Sequence, residues 1–295
     1  MLCLLTSSCS KRLVRLVNNV REIKGVPEVE LFPIVVVNTL NDSYFQEVLK
    51  LQLPFPVVRT ESNGKPGKGK NSCLELFLSS DCDFVSQIDG DDILYPTYLQ
   101  SIVEHIKRFP CIDVLGIIPM DIVDKNPNIK GHCFNIVDDI YAGVWGVSLV
   151  NLHKDSGPGV SYMWEQDLPM SADFIILQSK KSAKIMMDED ICVGEDHLYS
   201  FQLLAEHQKG NLTYFHTMSS DMFVIDKTTE VSVQKIFPQR NSVQELKDKA
   251  LKYVSRDRSS MWELPVIYKE LLLNQFEKQQ WLTTFMRKYH SKNIS

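Results

Sequence analysis

The sequence predicts an α/β protein built on an open, largely parallel sheet and closed by a helical C-terminal region. Three observations carry this. Apolar runs such as "FPIVVVN" are continuous instead of alternating, as in strands buried on both faces. They take turns with segments whose apolar residues recur every three or four positions, such as "SKRLVRLVNNVREI". One strand-like run, "DFVSQI", ends in Asp89, Asp91 and Asp92, spaced only by Gly90.

The elements follow in order. "LCLLT" reads as a first strand, and the helix after it turns Leu13, Leu16, Val17 and Val20 to one side. "FPIVVVN" is the second strand. Asn41, Asp42 and Ser43 suit the cap of a helix "YFQEVLKL". "FPVVRT" is a third strand, "ESNGKPGKGKN" a glycine- and lysine-rich loop, and "SCLELFLSS" a helix. After the aspartates, Pro96 opens a helix with Leu99, Ile102, Val103 and Ile106 on its inner face. Such a βαβ order implies right-handed crossovers, with ligands beyond the carboxyl ends of the strands. Further on, "IDVLGIIPMDIV", "SADFIILQS", "SAKIMMD" and "NLTYFHT" read as strands, and "GEDHLYSFQLLAEHQKG" as a helix ended by Gly210. From about Ser242 the pattern is two helices, "VQELKDKALKYVS" and "YKELLLNQFEKQQWLTTFMRKYH".

The 295 residues suffice for one large α/β domain or two small ones, and the net charge of -5 argues against a general nucleic-acid binder. Seven scattered cysteines without a C-x-x-C pair fit reduced thiols, which points to the cytoplasm. The apolar start is too short for a signal peptide and its basic residues follow the run. No stretch approaches membrane-spanning length.

Carboxylates at a strand end suit a hard divalent cation, Mg²⁺ or Mn²⁺, which one or two of them hold together with substrate phosphates. Taken alone, a solvated acidic turn explains the cluster as well. "GKPGKGKN" sets lysines and backbone N–H groups before a helix, as a phosphate site would, without the spacing of a Walker loop. "MDEDICVGEDHLYS" puts Glu195 and Asp196 at a helix front, either as favourable dipole partners or as a general base for an acceptor hydroxyl.

Together, "GKGKN", "QIDGDDILYP" and "MDEDICVGEDHLYS" resemble the motifs of GT-A-fold, nucleotide-sugar glycosyltransferases, family 2 above all, over roughly Met1 to His216. The resemblance implies a Rossmann-like mixed sheet, mostly parallel and flanked by helices. It implies a metal-dependent transfer of sugar from a nucleotide-diphosphate donor, a UDP-sugar by family frequency, to a hydroxyl acceptor with inversion. On this resemblance Asp91 is the principal metal ligand, with Asp89 and a late His216 in the metal set and Asp92 in support. Thr6, Ser7, Asn38, Lys70, Asn71, Asp89 and Gly90 contact the nucleotide-sugar. Asp196 is the base and Glu195 orients it or the acceptor. Asn38 stands in place of the family's aspartate, and Lys70 in place of its arginine, so it meets phosphate as a point charge.

The expected domains are a catalytic unit over 1–240, with a nucleotide-sugar half (1–110) and an acceptor half (111–240), and a helical extension over 241–295. Tyr141, Trp145, Tyr162 and Trp164 are candidates for stacking on an acceptor sugar, or for simple burial. Apolar Leu271, Leu272, Phe276 and Trp281 suggest that the C-terminal helices cover the catalytic domain or join two copies. The competing readings are a non-catalytic nucleotide- or glycan-binding module of the same fold and a sugar nucleotidyltransferase. The latter is disfavoured because "LLTSSCSKR" lacks its glycines.

Overall fold

The computed structural model describes residues 1–6, 10–62, 65–90, 92–117, 121–123, 129–130, 159–160, 162–165, 168–171, 174–191, 194–217, 222–226, 243–253, 263–264, 266–267 and 272–289. The chain begins β1 (Leu2–Thr6), α1 (Ser10–Arg21), β2 (Phe32–Asn38), α2 (Asp42–Lys50), β3 (Val57–Thr60), α3 (Pro66–Leu78), β4 (Phe84–Asp89), β5 (Asp92–Leu94) and α4 (Tyr98–Arg108). Then come β6 (Val114–Ile117), β7 (Asp121–Val123), β8 (Ile129–Lys130), β9 (Gly159–Val160), β10 (Tyr162–Glu165), β11 (Leu168–Ser171) and β12 (Phe174–Ser179). The remainder is α5 (Glu195–Gln208), β13 (Tyr214–Thr217), β14 (Phe223–Asp226), α6 (Val243–Ala250), β15 (Glu263–Leu264), β16 (Val266–Ile267) and α7 (Gln275–Tyr289).

The main sheet has eight strands in the order β16-β13-β6-β12-β4-β1-β2-β3. All its pairs are parallel except those of β12, which runs antiparallel to both β4 and β6. The expected α/β class, with a mixed and mostly parallel sheet, is what the chain adopts. Alternation along β1 sorts the core into two layers. Leu2 and Leu4 pack with Cys73, Leu74 and Phe77 of α3 and with Leu198, Phe201 and Leu204 of α5. Cys3 and Leu5 pack on the other face with Leu13, Leu16, Val17 and Val20 of α1, Val48 of α2 and Leu99 and Ile102 of α4. The register aligns Thr6 with Asp89 and Asn38 with Thr60, so the strand ends meet at one carboxyl edge.

Asn41 caps α2 as expected, accepting the N–H groups of Ser43 (2.9 Å) and Tyr44 (3.2 Å). Four readings change. The glycine-rich loop is already helix: α3 starts at Pro66, whose missing N–H is harmless in a first turn. Gly67 lies inside it because a Cβ there would stand 2.7 Å from the Asp188 carbonyl oxygen. "IDVLGIIPMDIV" divides into β6 of the main sheet and β7 of a second, four-stranded sheet ordered β5-β14-β7-β8. "SAKIMMD" forms a 3₁₀ turn over Ser182–Lys184 and irregular chain. The long last helix starts only at Gln275, and Val266–Ile267 before it pairs with β13.

Helix α7 does cover the rest of the chain, as one of the two expectations held. Its Leu282, Phe285 and Met286 bury against Ile93, Tyr95 and Val224. Trp281 lies 5.3 Å from the Tyr95 ring and stacks on Phe285 at 5.2 Å. Phe276 faces outward, 69% exposed. Among the described residues no helix is long and apolar enough to cross a membrane.

Candidate active site

The carboxyl edge gathers acids from two distant stretches of chain around one lysine. Lys70, in the second turn of α3, brings its Nζ to 3.5 Å from Asp89 Oδ2, with the lysine side chain 27% exposed. The charge of Asp89 dominates its surroundings. That attraction overcomes the cost of burial, and Asp196, Glu195 and Asp92 add to it, so the ammonium is held protonated far above its usual range. On the strand side, Asp92 turns back so that its Oδ2 accepts the Asp89 N–H at 3.3 Å. Two buried residues of α1 fix this turn from beneath. Arg15 Nη2 donates to the Gly90 carbonyl (3.2 Å), and the Asn19 amide both donates to Leu94 O (2.9 Å) and accepts from Leu94 N–H (2.7 Å).

The second acidic pair starts α5, where the helix dipole favours negative charge. Gly194 precedes it at φ +83°, a left-handed conformation, and packs so closely on Leu246 of α6 that a Cβ would stand 2.9 Å from it. The two carboxyls have been driven apart. Burial pushes Glu195 up, the neighbouring Asp196 charge adds to this and Lys70 opposes it, leaving its pKa at about 7. Desolvation also works against Asp196. The charges of His197 and Lys70 and an N–H bond from His197 (2.9 Å) outweigh it, so Asp196 lies below the ordinary aspartate range. A pair split in this way offers one group ionised throughout the physiological range and one poised near neutrality.

The segment leading to that pair is strapped down from two sides. Asn71 accepts the Met187 N–H (2.8 Å) and donates to the Met187 carbonyl (3.0 Å) and to Glu189 Oε1 (3.1 Å). Its amide is thus spent on the protein, and the residue expected at the nucleotide serves as a clamp. Lys65 pairs with Asp190 at 3.4 Å, and from α6 Lys249 Nζ reaches Asp188 Oδ2 at 2.8 Å. At the end of β2, Asn38 Oδ1 accepts from the hydroxyls of Thr60 and, at 3.2 Å, Ser72.

No protein-family model matches the chain, and no curated protein sequence does. Solved structures do. Residues 1–349 of TarS from S. aureus, in complex with UDP-GlcNAc, align over 98% of this chain and 72% of that one, at 17% identity and a TM-score of 0.53. A second crystal structure of the same segment of TarS gives 99%, 72%, 17% and 0.50. Both are GT-A-type structures, and at this identity the likeness speaks for the fold.

The chain has the GT-A fold.

Within the GT-A fold the expected residues distribute as follows. Thr6, Asn38, Asp89, Gly90, Asp92, Lys70, Glu195 and Asp196 share the carboxyl edge. Asn71 stands one residue past Lys70, facing the strap. His216 lies on β13, three strands from β4, roughly 14 Å away at the usual strand spacing. Ser7, Asp91, Tyr141 and Trp145 fall outside the described residues, and the side chains of Tyr162 and Trp164 on β10 do as well. Among the described residues, no three His, Cys, Asp or Glu side chains gather to cage a metal ion.

Sequence reading missed Asn19, Lys249, Leu246 and Tyr253, whose hydroxyl accepts from Gln202 on α5 at 3.3 Å. Their partners lie far away in sequence, and no local pattern marks them.

Proposed function

We propose that this chain is a glycosyltransferase that moves a sugar from a UDP-sugar to a hydroxyl acceptor, with inversion at the anomeric carbon. The observation that carries this is the convergence of Asp89 and Asp92 with Glu195 and Asp196 around Lys70, at the sheet edge where open α/β folds bind ligands. The UDP-GlcNAc held by TarS on the same fold supports the choice of uridine diphosphate.

The donor set fits a divalent cation. Asp89 and Asp92 offer hard carboxylate oxygens on either side of a tight turn, with Asp91 between them, and Mg²⁺ or Mn²⁺ needs only one or two carboxylates plus phosphate oxygens. Lys70 already marks the corner as a place for positive charge. When bound, the metal would offset charge on the departing diphosphate.

The chain's own residues do the rest. Asn38 at the end of β2, Thr6 at the end of β1 and Ser7, next in sequence, are assigned to the nucleoside, and Asp89 to the ribose. Asp196, ionised and at the surface, takes the proton of the acceptor hydroxyl as its oxygen attacks. Glu195, half protonated near neutral pH, hydrogen-bonds the acceptor and orients it. One base and one displacement invert the centre.

The test is release of UDP from a panel of UDP-sugars with Mn²⁺, with and without added glycan acceptors. Turnover is expected with at least one donor. Asp196→Asn should keep UDP affinity while slowing turnover by about 10²–10⁴-fold, the usual contribution of a positioned base. Absence of turnover across nucleotide-sugars, with binding intact, would leave a binding module. Full turnover by Asp196→Asn would remove the base from that position.

A further inference from the structure

Lys70 is placed as a counter-ion before any phosphate arrives. Its ammonium lies 3.5 Å from Asp89, and its stem is largely buried in α3, whose first turn is wedged against Asp188 through Gly67. The lysine therefore comes from a fixed helix. Asp89 and Asp92 are tied to each other through the Asp89 N–H, and the turn between them is anchored by Arg15. Like charges drawn together in this way need cations: Arg15 of α1 lies on the turn itself, and Lys70 of α3 meets the Asp89 carboxylate.

We propose that Lys70 is a built-in substitute for the divalent cation: its ammonium and the metal ion compete for the same carboxylates, so that metal entry displaces Lys70 toward the incoming diphosphate. The inference rests on reading this corner as the donor site, and it deepens that reading by giving the order of events. A lysine can make such an exchange because its charge is compact and its stem is flexible, whereas a fork-shaped guanidinium suits a fixed two-point grip. The chemistry is an exchange of ionic partners. No bond is made or broken, and Lys70 keeps its proton in both arrangements.

The probe is Mn²⁺ alone, without nucleotide, titrated against the full chain and followed by the spectroscopic signal of the free ion. Lys70→Met should bind Mn²⁺ at least ~10-fold more tightly than the parent protein, because the ion no longer has to expel a cation. Lys70→Arg, which keeps the charge and grips a carboxylate at two points, should bind Mn²⁺ no more tightly than the parent. In EDTA, Lys70→Met should melt below the parent and recover on adding Mn²⁺. If Lys70→Met does not fold in EDTA, refolding with and without Mn²⁺ reads the same exchange, and recovery only with the ion supports it. Mn²⁺ binding by Lys70→Met that is no tighter than the parent's, including no binding by either, overturns the proposal. So does an unchanged melting temperature in EDTA. UDP release is measured separately, so failure of this exchange leaves the transferase reading standing, and failure of turnover leaves the exchange standing.

Discussion

Two buried asparagines serve the two acidic corners in the same way and in different settings. Asn19 closes a pair of hydrogen bonds on Leu94, just past Asp92, and Asn71 closes a pair on Met187, ahead of Glu195. The first corner also has a sheet to hold it: Asp89 is in register with Thr6, and β5 pairs with β14. Among the described residues the second is held by side chains and close packing, through Asn71, Lys65, Lys249, Gly67 and Gly194. One acidic pair is therefore positioned mainly by backbone ladders. The other depends on a strap pinned between α3 and α6.

The comparison is broken or sharpened most strongly by removing each clamp. Asn71→Ala strands a buried N–H and carbonyl with no ladder to take them up, and should cost about 3 kcal/mol in denaturant unfolding. Asn19→Ala removes the same two bonds beside a paired strand, and should cost about 2 kcal/mol. Equal losses would mean that the sheet lends the first corner no extra support.

Next in size is the pH dependence carried by Glu195. Its pKa rises from the ordinary 4.5 to about 7, so the native state keeps a proton that the unfolded chain has released. Stability should then fall as pH climbs across that window and level off above it. Glu195→Gln removes this slope. Its gain should be absent near pH 4 and, once solvent screening of the half-buried carboxyl is allowed for, reach about 2–3 kcal/mol by pH 8, read from denaturant midpoints across pH. A variant as pH-sensitive as its parent would show that Glu195 is not the raised group.

The smallest effect is expected from the α6 side of the strap. Lys249→Met removes a partly buried pair with Asp188 and should cost roughly 1 kcal/mol. In the transfer assay it should lower kcat more than it raises KM, because the segment ahead of the acids loosens while the Asp89 corner stays in place. A change confined to KM would argue that the strap has no part in orienting Glu195 and Asp196.

How much of this could be read in the sequence follows the same division. β1 and β2 announce themselves by continuous apolar runs, α1 and α4 by their periodicity, and the aspartates by being out of place after a strand. Sheet-positioned features are local, so a short window holds their signal. The Glu195 pair was visible as a motif, but its support was not, because Asn71 and Met187 are 116 residues apart. Glycines misled the reading at α3. Gly67 looks like a loop residue, yet it is there to let the Asp188 carbonyl touch the helix. Lys70 is legible as a phosphate ligand and not as the cation among four acids, because Asp89, Asp92, Glu195 and Asp196 all lie far from it in sequence.

The clasp of α7 has a consequence for how the chain comes to be folded. Lys288 meets Glu22 at 2.6 Å across 266 residues. During synthesis, Ile93 and Tyr95 leave the ribosome long before the helix that shelters them, so a nascent chain carries a sticky apolar face directly behind its aspartates. Contacts this distant in sequence close slowly, and transiently bare strands invite aggregation. The patch on β5 is therefore where chaperones would be needed first, until α7 arrives to cover it.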